Sequence, residues 1–343
     1  MENPDEESLL QQSRLRVPGW AAAGLTVSLI EKGGSDRRYF RIMARAGDDG
    51  PASAILMAYT DRRPDNASFF PATDVLRRAG VRVPEIYCHD APRKLAWLED
   101  LGGCDLWELR NHDAQRLALY KAALQQLAKV HALRWDDIPA ELRSHLQPPF
   151  DESLYAWEQD YFFTKFAARF SDLPAERLEE VRRQEEFAAL CRTLASLPRS
   201  MVHRDFQSQN VIIRDGVAWM IDYQGLREGR PEYDLASLLY DPYVDLTAGE
   251  RAALRDYYFE LSGAGACDPQ VLAMCACQRL MQALGAYGKL GIEDGKAAFI
   301  QHIRPAVENL RGVLRDSGLL PGLDAVLTLR PGALEAAGLL PSA

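Results

Sequence analysis

The first hundred residues read as short extended runs separated by turn formers. Leu25-Thr26-Val27-Ser28-Leu29-Ile30, Tyr39-Phe40-Arg41-Ile42-Met43-Ala44 and residues 52–59 are apolar or β-branched stretches of strand length, and Val83 to Cys88 and Lys94 to Leu98 continue the series. The turn signals between them predict one antiparallel sheet of about five strands. A polar arm passing into a short helix precedes it and breaks at Pro18-Gly19-Trp20, and a helix over 67–79 interrupts it. From Asp113 the period changes: Leu117, Tyr120, Leu124, Leu127, Ala128 and Val130 recur at helical steps, so the adjoining His131 reads as a packed core histidine. Further helices are predicted over 151–170, 169–197 (one helix or a pair), 247–262, 268–288 and 295–314, with breaks at Pro198, 263–265 and 291–295. The proline-bearing stretch 135–150 reads as a connection, and the tail from Ser317 carries no recognisable chemistry. A chain of 343 residues exceeds the usual span of one hydrophobic core. The expected fold is therefore α+β in two lobes, a small antiparallel-sheet lobe over 1–101 and a larger, mostly helical lobe over 102–343.

One stretch breaks the helical pattern and carries most of the chemistry. Val202-His203-Arg204-Asp205-Phe206-Gln207-Ser208-Gln209-Asn210 is an apolar step followed by a tight loop with an aspartate and, five residues later, an asparagine. An aspartate there can accept the proton of a substrate hydroxyl, and an asparagine amide oxygen can hold a magnesium ion bridging nucleotide phosphates. Val211-Ile212-Ile213 and Val217 to Ile221 flank Arg214-Asp215-Gly216, the signal of a tight hairpin. Such a hairpin returns Asp222 to Asn210, so both can serve one magnesium site. Upstream, Gly33-Gly34-Ser35 lies between two predicted strands, where a glycine-rich turn can lay its amides over phosphates. Aromatic residues on 151–170 are mostly core by their spacing, but Trp157 and Tyr161 lie one turn apart and offer faces on which a sugar ring could stack.

His203-Arg204-Asp205 with Asn210 resembles the catalytic loop of protein kinases, and Ile221-Asp222-Tyr223-Gln224-Gly225 resembles their metal loop with a glutamine before the glycine. Together with Tyr233-Asp234-Leu235-Ala236 and Asp241-Pro242-Tyr243, these phrases are more similar still to the aminoglycoside-phosphotransferase-like small-molecule kinases, and among them to the bacterial anomeric kinases of N-acetylmuramate and N-acetylglucosamine. The resemblance runs from Gly33 to about Tyr243. It implies a protein-kinase-like fold using ATP and magnesium. Asp205 would be the catalytic residue and Asn210 and Asp222 the metal ligands. Adenine would lie against the hinge backbone at Glu99 to Leu101, and the phosphates under Gly33, Gly34 and Ser35. Asp234 would bond back to the catalytic loop. Arg204, Gln224, Asp241 and Tyr243 join Trp157 and Tyr161 as acceptor candidates, with Asp241 and Tyr243 expected at the mouth of the cleft. A muramate carboxylate would need a cation, for which Arg204 and Arg227 are nearest.

The chain departs from the kinase pattern in one respect. The third strand normally supplies a phosphate-binding lysine paired with a glutamate on the next helix. Here that strand has Met57, and helix 67–79 has Asp74 but no glutamate. The resembled anomeric kinases lack the lysine too, and the substitutes offered by position are Arg37 or Arg38 first and Lys32 second. The missing pair also motivates a competing reading, a nucleotide-binding module without catalysis; a kinase of cationic aminoglycosides or aminoalcohols is another.

Composition narrows the classes. Hydrophobic residues make up 47% and charged residues 26%, as in a soluble globular protein. A net charge of −9 leaves no basic stripe for nucleic acid. No apolar run is long enough to span a membrane, and the acidic start is unlike a secretory signal. A cytoplasmic monomer acting on a small sugar and a nucleotide is the expectation. All six cysteines read as reduced core thiols, with Cys275-Ala276-Cys277 too closely spaced for a zinc motif.

Overall fold

The computed structural model describes residues 6–30, 37–45, 50–63, 65–263 and 267–333. Strands β1 (Leu25–Ile30), β2 (Arg38–Ala44), β3 (Ser53–Ala58), β4 (Ile86–Asp90) and β5 (Leu95–Glu99) form one antiparallel sheet in the order β1-β2-β3-β5-β4. Alternation along each strand sorts the side chains to two faces. Phe40, Ile42, Leu56 and Trp97 go to the outer face, where Leu9, Val17 and Trp20 from helix α1 (Glu6–Arg16) and its exit cover them. The Trp97 indole donates to Ser13 Oγ, which ties the cover down. Met57, Ala96 and Leu98 go to the inner face, against Phe69, Ala72, Val75 and Leu76 of α2 (Asp65–Arg78). The fourth strand starts at Ile86, three residues later than its sequence suggests. Pro84 has no N–H for a ladder, and Val81 and Val83 are buried in the inner core instead.

The helical lobe is built on α3 (Asp113–His131), α4 (Ala140–Arg143), α5 (Glu152–Phe162), α6 (Ala168–Phe170), α7 (Ala175–Arg182), α8 (Glu185–Ser196), α9 (Pro231–Leu239), α10 (Ala248–Ser262), α11 (Pro269–Gly288), α12 (Ile303–Ser317) and α13 (Leu323–Val326). Two hairpin-like pairs sit among them: β6 (Ser200–Val202) with β9 (Arg227–Gly229), and β7 (Val211–Arg214) with β8 (Val217–Met220). The stretch 227–231, which reads as a charged connection, thus contributes a strand. No helix among the described residues is long and apolar enough to cross a membrane.

Helix α11 is the axis of this lobe, apolar nearly all round and buried on most of its length. It crosses α5 so closely that a Cβ on Gly285 would stand 2.7 Å from Tyr161 Cδ1, and one on Gly288 would stand 2.2 Å from Lys165 O. At that crossing both chains widen into single π-turns, Phe163–Ala167 and Lys289–Glu293. Single π-turns of this kind gather at functional sites, and here they flank Tyr161. The tail is a packed arm: Thr328 O accepts from Asp172 N at 2.8 Å, and Arg330 N donates to Phe170 O at 2.8 Å.

Gly288→Ala should therefore destabilise the protein by roughly 1–3 kcal/mol, the usual cost of over-packing, because the contacted atom is rigid backbone. The urea midpoint checks this, with Gly249→Ala, where a Cβ meets nothing within 4 Å, as the reference.

Candidate active site

The loop after β6 owes its shape to a carboxylate from another helix. Asp234, in α9 and fully buried, accepts from His203 N at 2.6 Å and Arg204 N at 2.8 Å. His131 Nε2 donates to the same carboxylate at 3.1 Å while its Nδ1 shares a 2.6 Å hydrogen bond with the Tyr258 hydroxyl. The core histidine of the sequence is thus a brace two steps behind the catalytic loop. His203 turns its ring inward and donates from Nε2 to Ile221 O at 3.0 Å. Arg204 adopts a left-handed backbone with φ of 79°, which reverses the chain and leaves Asp205 at the surface of the cleft with 29% of its side chain exposed. A non-glycine residue there is strained, and the two bonds from Asp234 hold it.

The hairpin brings the next two groups together. Asn210 precedes β7, Asp222 follows β8, and Ile221 N donates to Asn210 O at 3.0 Å across the open end. Asn210 Nδ2 donates to Asp205 O at 2.8 Å, which fixes the amide and directs its oxygen away from the loop. Asp222 also has a left-handed backbone, φ 60°, and 41% of its side chain is exposed. Gln224 Nε2 donates to Asp222 Oδ1 at 3.1 Å, so Gln224 is a partner of the metal-loop carboxylate. Hard oxygens from an amide and a carboxylate are a donor set that suits magnesium. Tyr223 points the other way, stacking on Phe69 at 5.2 Å and sharing a 2.9 Å hydrogen bond with Thr73 Oγ1, which ties α2 to the metal loop.

Strand alternation separates the two candidate arginines of the sheet. Arg37 enters on the inner face, with 2% of its side chain exposed, and its guanidinium lies 3.4 Å from Asp222 and 3.9 Å from Asp65. Burial works against that charge, and Tyr39, Asp222 and Asp65 outweigh it, holding Arg37 above its ordinary value. Arg38 is on the opposite face, 5.1 Å over the ring of Phe40. Of the two candidates for the phosphate cation, the structure thus brings Arg37 and not Arg38 to Asp222.

On the other side of Asp205 stands a cluster that sequence patterns only partly indicate. Arg279 of α11 lies 3.5 Å from Asp205 Oδ1, donates to Ser237 Oγ at 2.9 Å and reaches Gln207 Oε1 at 3.4 Å. Arg204 lies 3.9 Å from Glu158, a fully buried carboxylate of α5 that accepts from Tyr233 and Gln278. Arg227 is buried beside them and donates to Gly225 O at 3.0 Å. Burial and then Arg204 push Arg227 down to about 10. Burial alone would raise Asp205, but Arg204, Arg279, His203 and Arg227 hold it below the ordinary carboxylate range. Burial pushes the Glu158 carboxyl up against the pull of Arg204. The missed members, Glu158 and Arg279, had one usable signal each, a charge inside an aromatic stripe and a charge inside an apolar helix.

The remaining sequence candidates fall as follows. Trp157 and Tyr161 stack on each other at 5.2 Å, with Trp157 half exposed and Tyr161 in the field of Arg204. Asp241 and Tyr243 do not project at a mouth: both are buried, and Asp241 accepts from Ser208 N at 2.8 Å and Tyr243 N at 3.0 Å. The proline turn therefore folds its carboxylate back under the catalytic loop. Glu99 N donates to Glu85 O at 2.8 Å, and its side chain pairs with Arg214 at 2.8 Å, so that N–H is not available to a base. Leu101 is buried, and Arg41 pairs with the preceding Asp100 at 2.8 Å. Lys32, Gly33, Gly34 and Ser35 lie outside the described residues. Cys104 is exposed and Cys88 and Cys267 are half-buried, so three of the six cysteines are not core thiols.

Residues 26–270 match the family described as the phosphotransferase enzyme family. The chain belongs to that family. The N-acetylmuramate/N-acetylglucosamine kinase of Pseudomonas aeruginosa is 25% identical over 310 residues, 88% of each chain. That of Neisseria meningitidis is 26% identical over 302 residues, 85% of this chain and 86% of the relative. Among solved structures, a choline/ethanolamine kinase family protein from Mesorhizobium loti superposes with a TM-score of 0.60 at 16% identity, over 94% of this chain and 99% of its own. A macrolide 2'-phosphotransferase from Brachybacterium faecium gives 0.56 at 18%, over 89% and 98%. The fold is the two-lobed kinase-like one, and the enzyme is a phosphotransferase with a hydroxyl acceptor.

The bonds to Asp241 make a further claim testable in this phosphotransferase. Asp241→Ala leaves two buried N–H groups without acceptors and should lower stability by roughly 2–4 kcal/mol, read from urea unfolding, while the acceptor KM stays within about twofold. A large rise in acceptor KM at unchanged stability would restore the acceptor role that the Asp-Pro-Tyr phrase implies.

Proposed function

We propose that this phosphotransferase transfers the γ-phosphate of ATP to the anomeric hydroxyl of an amino sugar, N-acetylmuramate or N-acetylglucosamine, in the cytoplasmic recycling of cell-wall sugars. The observation that carries the reading is the position of Asp205, with the Asn210 and Asp222 oxygens on one side and the Arg204, Arg227 and Arg279 cluster on the other. The names of the relatives support the choice of sugar, and the guanidinium groups of Arg204 and Arg227 offer partners to an acceptor with a carboxylate that a cationic aminoalcohol would not use. The lobes divide near residues 101 and 102, and the chain acts as a monomer.

In this mechanism Asn210 and Asp222 would hold magnesium, which would supply neutralisation of charge on the phosphates. The backbone at Leu101 meets the adenine. Gly33, Gly34, Ser35 and Arg37 cover the phosphates. Asp205 accepts a hydrogen bond from the sugar hydroxyl, aligns it with the phosphorus and takes its proton as the new P–O bond forms and the bond from the γ-phosphorus to the bridging oxygen of ADP breaks. Its depressed pKa makes it a weak base, so its main contribution is orientation, as a loose phosphoryl transition state requires. Trp157 and Tyr161 offer an aromatic face to the sugar ring, and Arg204 or Arg227 meets a muramate carboxylate.

Coupled ADP release with N-acetylmuramate, N-acetylglucosamine, glucosamine, free hexoses, kanamycin and choline tests the acceptor, and phosphorus NMR of the product identifies the phosphorylated oxygen. The expected product is a sugar 1-phosphate. Turnover confined to kanamycin or choline, or to none of the six, would reject the proposal. Asp205→Asn should lower kcat by about 10²–10⁴-fold with nucleotide affinity retained; near-normal turnover would remove Asp205 from its role.

A further inference from the structure

The third strand, which in kinases presents the phosphate-binding lysine, here has Met57, an apolar side chain 1% exposed in the inner core. The positive charge comes instead from the neighbouring strand. β2 pairs Tyr39 with Met57, so Arg37, two residues before Tyr39, emerges on the same face just beyond Met57. Its guanidinium reaches the metal-loop carboxylate of Asp222 and the carboxylate of Asp65, the first residue of α2. Kinases place their paired glutamate inside the equivalent helix; here the acid stands at the helix N-terminus, where the macrodipole also favours it.

We propose that Arg37 and Asp65 together replace the missing lysine–glutamate pair, with Arg37 binding the triphosphate and Asp65 acting as the positioning residue that holds it in reach. The proposal rests on the nucleotide-dependent reading above and adds a second residue and a division of labour. Asp222 cannot be the sole anchor of Arg37, because its oxygens are also the candidate metal ligands. Asp65 is not among those ligands, and its other partner is Arg63, whose Nε lies 3.3 Å away. Asp65 also sits on the helix that grips Tyr223 through Phe69 and Thr73, so the placement of α2 sets the phosphate cation and the metal loop together. A guanidinium suits the task because its planar fork can keep one edge on Asp65 while presenting another to phosphate oxygens, with five N–H donors against the three of an ammonium.

The test reads nucleotide binding directly, so it does not depend on the acceptor. Affinity for a fluorescent N-methylanthraniloyl ATP is measured with and without magnesium on the full chain, for Arg37→Met, Asp65→Asn and the double variant, with thermal melts as a check on folding. Arg37→Met should weaken binding at least tenfold and Asp65→Asn several-fold. The double variant should be no weaker than Arg37→Met, because Asp65 acts only through Arg37. Should Arg37→Met fail to fold, Arg37→Lys is read in its place and should show an intermediate loss that still fails to add to Asp65→Asn. Binding by the Arg37 variant within twofold of wild type, losses that multiply, or a tenfold loss in Arg38→Met instead would each overturn the assignment while leaving the sugar kinase reading intact. A wild-type protein that binds no nucleotide would overturn both.

Discussion

The structure depends on one buried carboxylate. Asp234 has no exposure to water, and an isolated charge in that position would cost several kcal/mol. It is tolerated because every neighbour that could satisfy it does: two consecutive backbone N–H groups of the catalytic loop and the imidazole of His131. The demand runs in both directions. The loop can hold Arg204 in its left-handed conformation only while Asp234 accepts from it, and Asp234 can stay buried only while the loop is in place. Tyr258 of α10, behind His131, extends the same network into the helices. Asp241, seven residues further on, repeats the device under Ser208. Two carboxylates from α9 and the turn after it therefore hold both halves of the loop from beneath, and Asp205 reaches the cleft between them.

Phosphoryl transfer gains from such a frame because little covalent work is asked of the protein. What matters is that charges stay where they are placed. On one side of Asp205 the Asn210 amide is pinned by Asp205 O, and Asp222 is pinned by Gln224. On the other side Arg279 is fixed by Ser237 and Gln207 before any ligand arrives. Groups held this way lose little further freedom on binding, which is what preorganisation means in energetic terms. The π-turns beside Tyr161 belong to the same logic, since the glycines of α11 let α5 approach closely enough to carry Glu158 under the arginines.

How legible this was in the sequence follows the range of each interaction. The five-strand sheet, the hairpin and the helical lobe show in the letters because alternation, turn chemistry and helical period are local. The juxtaposition of Asn210 and Asp222 was legible for the same reason: a two-residue turn fixes what lies at its open ends. The arginine cluster was not, because Arg279 lies 74 positions from Asp205 and nothing local ties them. Asp241 and Glu99 show a different limit. Residue type and neighbours told that each sat near the cleft, but whether a side chain or N–H is free depends on partners elsewhere, Ser208 N for one and Glu85 O for the other.

The split between Arg37 and Arg38 gives the proposed replacement of the lysine–glutamate pair a physical reason. A lysine on β3 and a glutamate within α2 are coupled: removing either strands a buried charge, so single losses are costly. A second cation already present on the inner face of β2 removes that obstacle, because the space between sheet, α2 and Asp222 can be filled from either strand. Once it is filled from β2, the β3 position has no charge to hold, and an apolar residue such as Met57 gains by packing there. The parity of the strand then decides which of two adjacent arginines can do it. Only a residue in register with Tyr39 and Met57 faces the cleft, and of Arg37 and Arg38 that is Arg37.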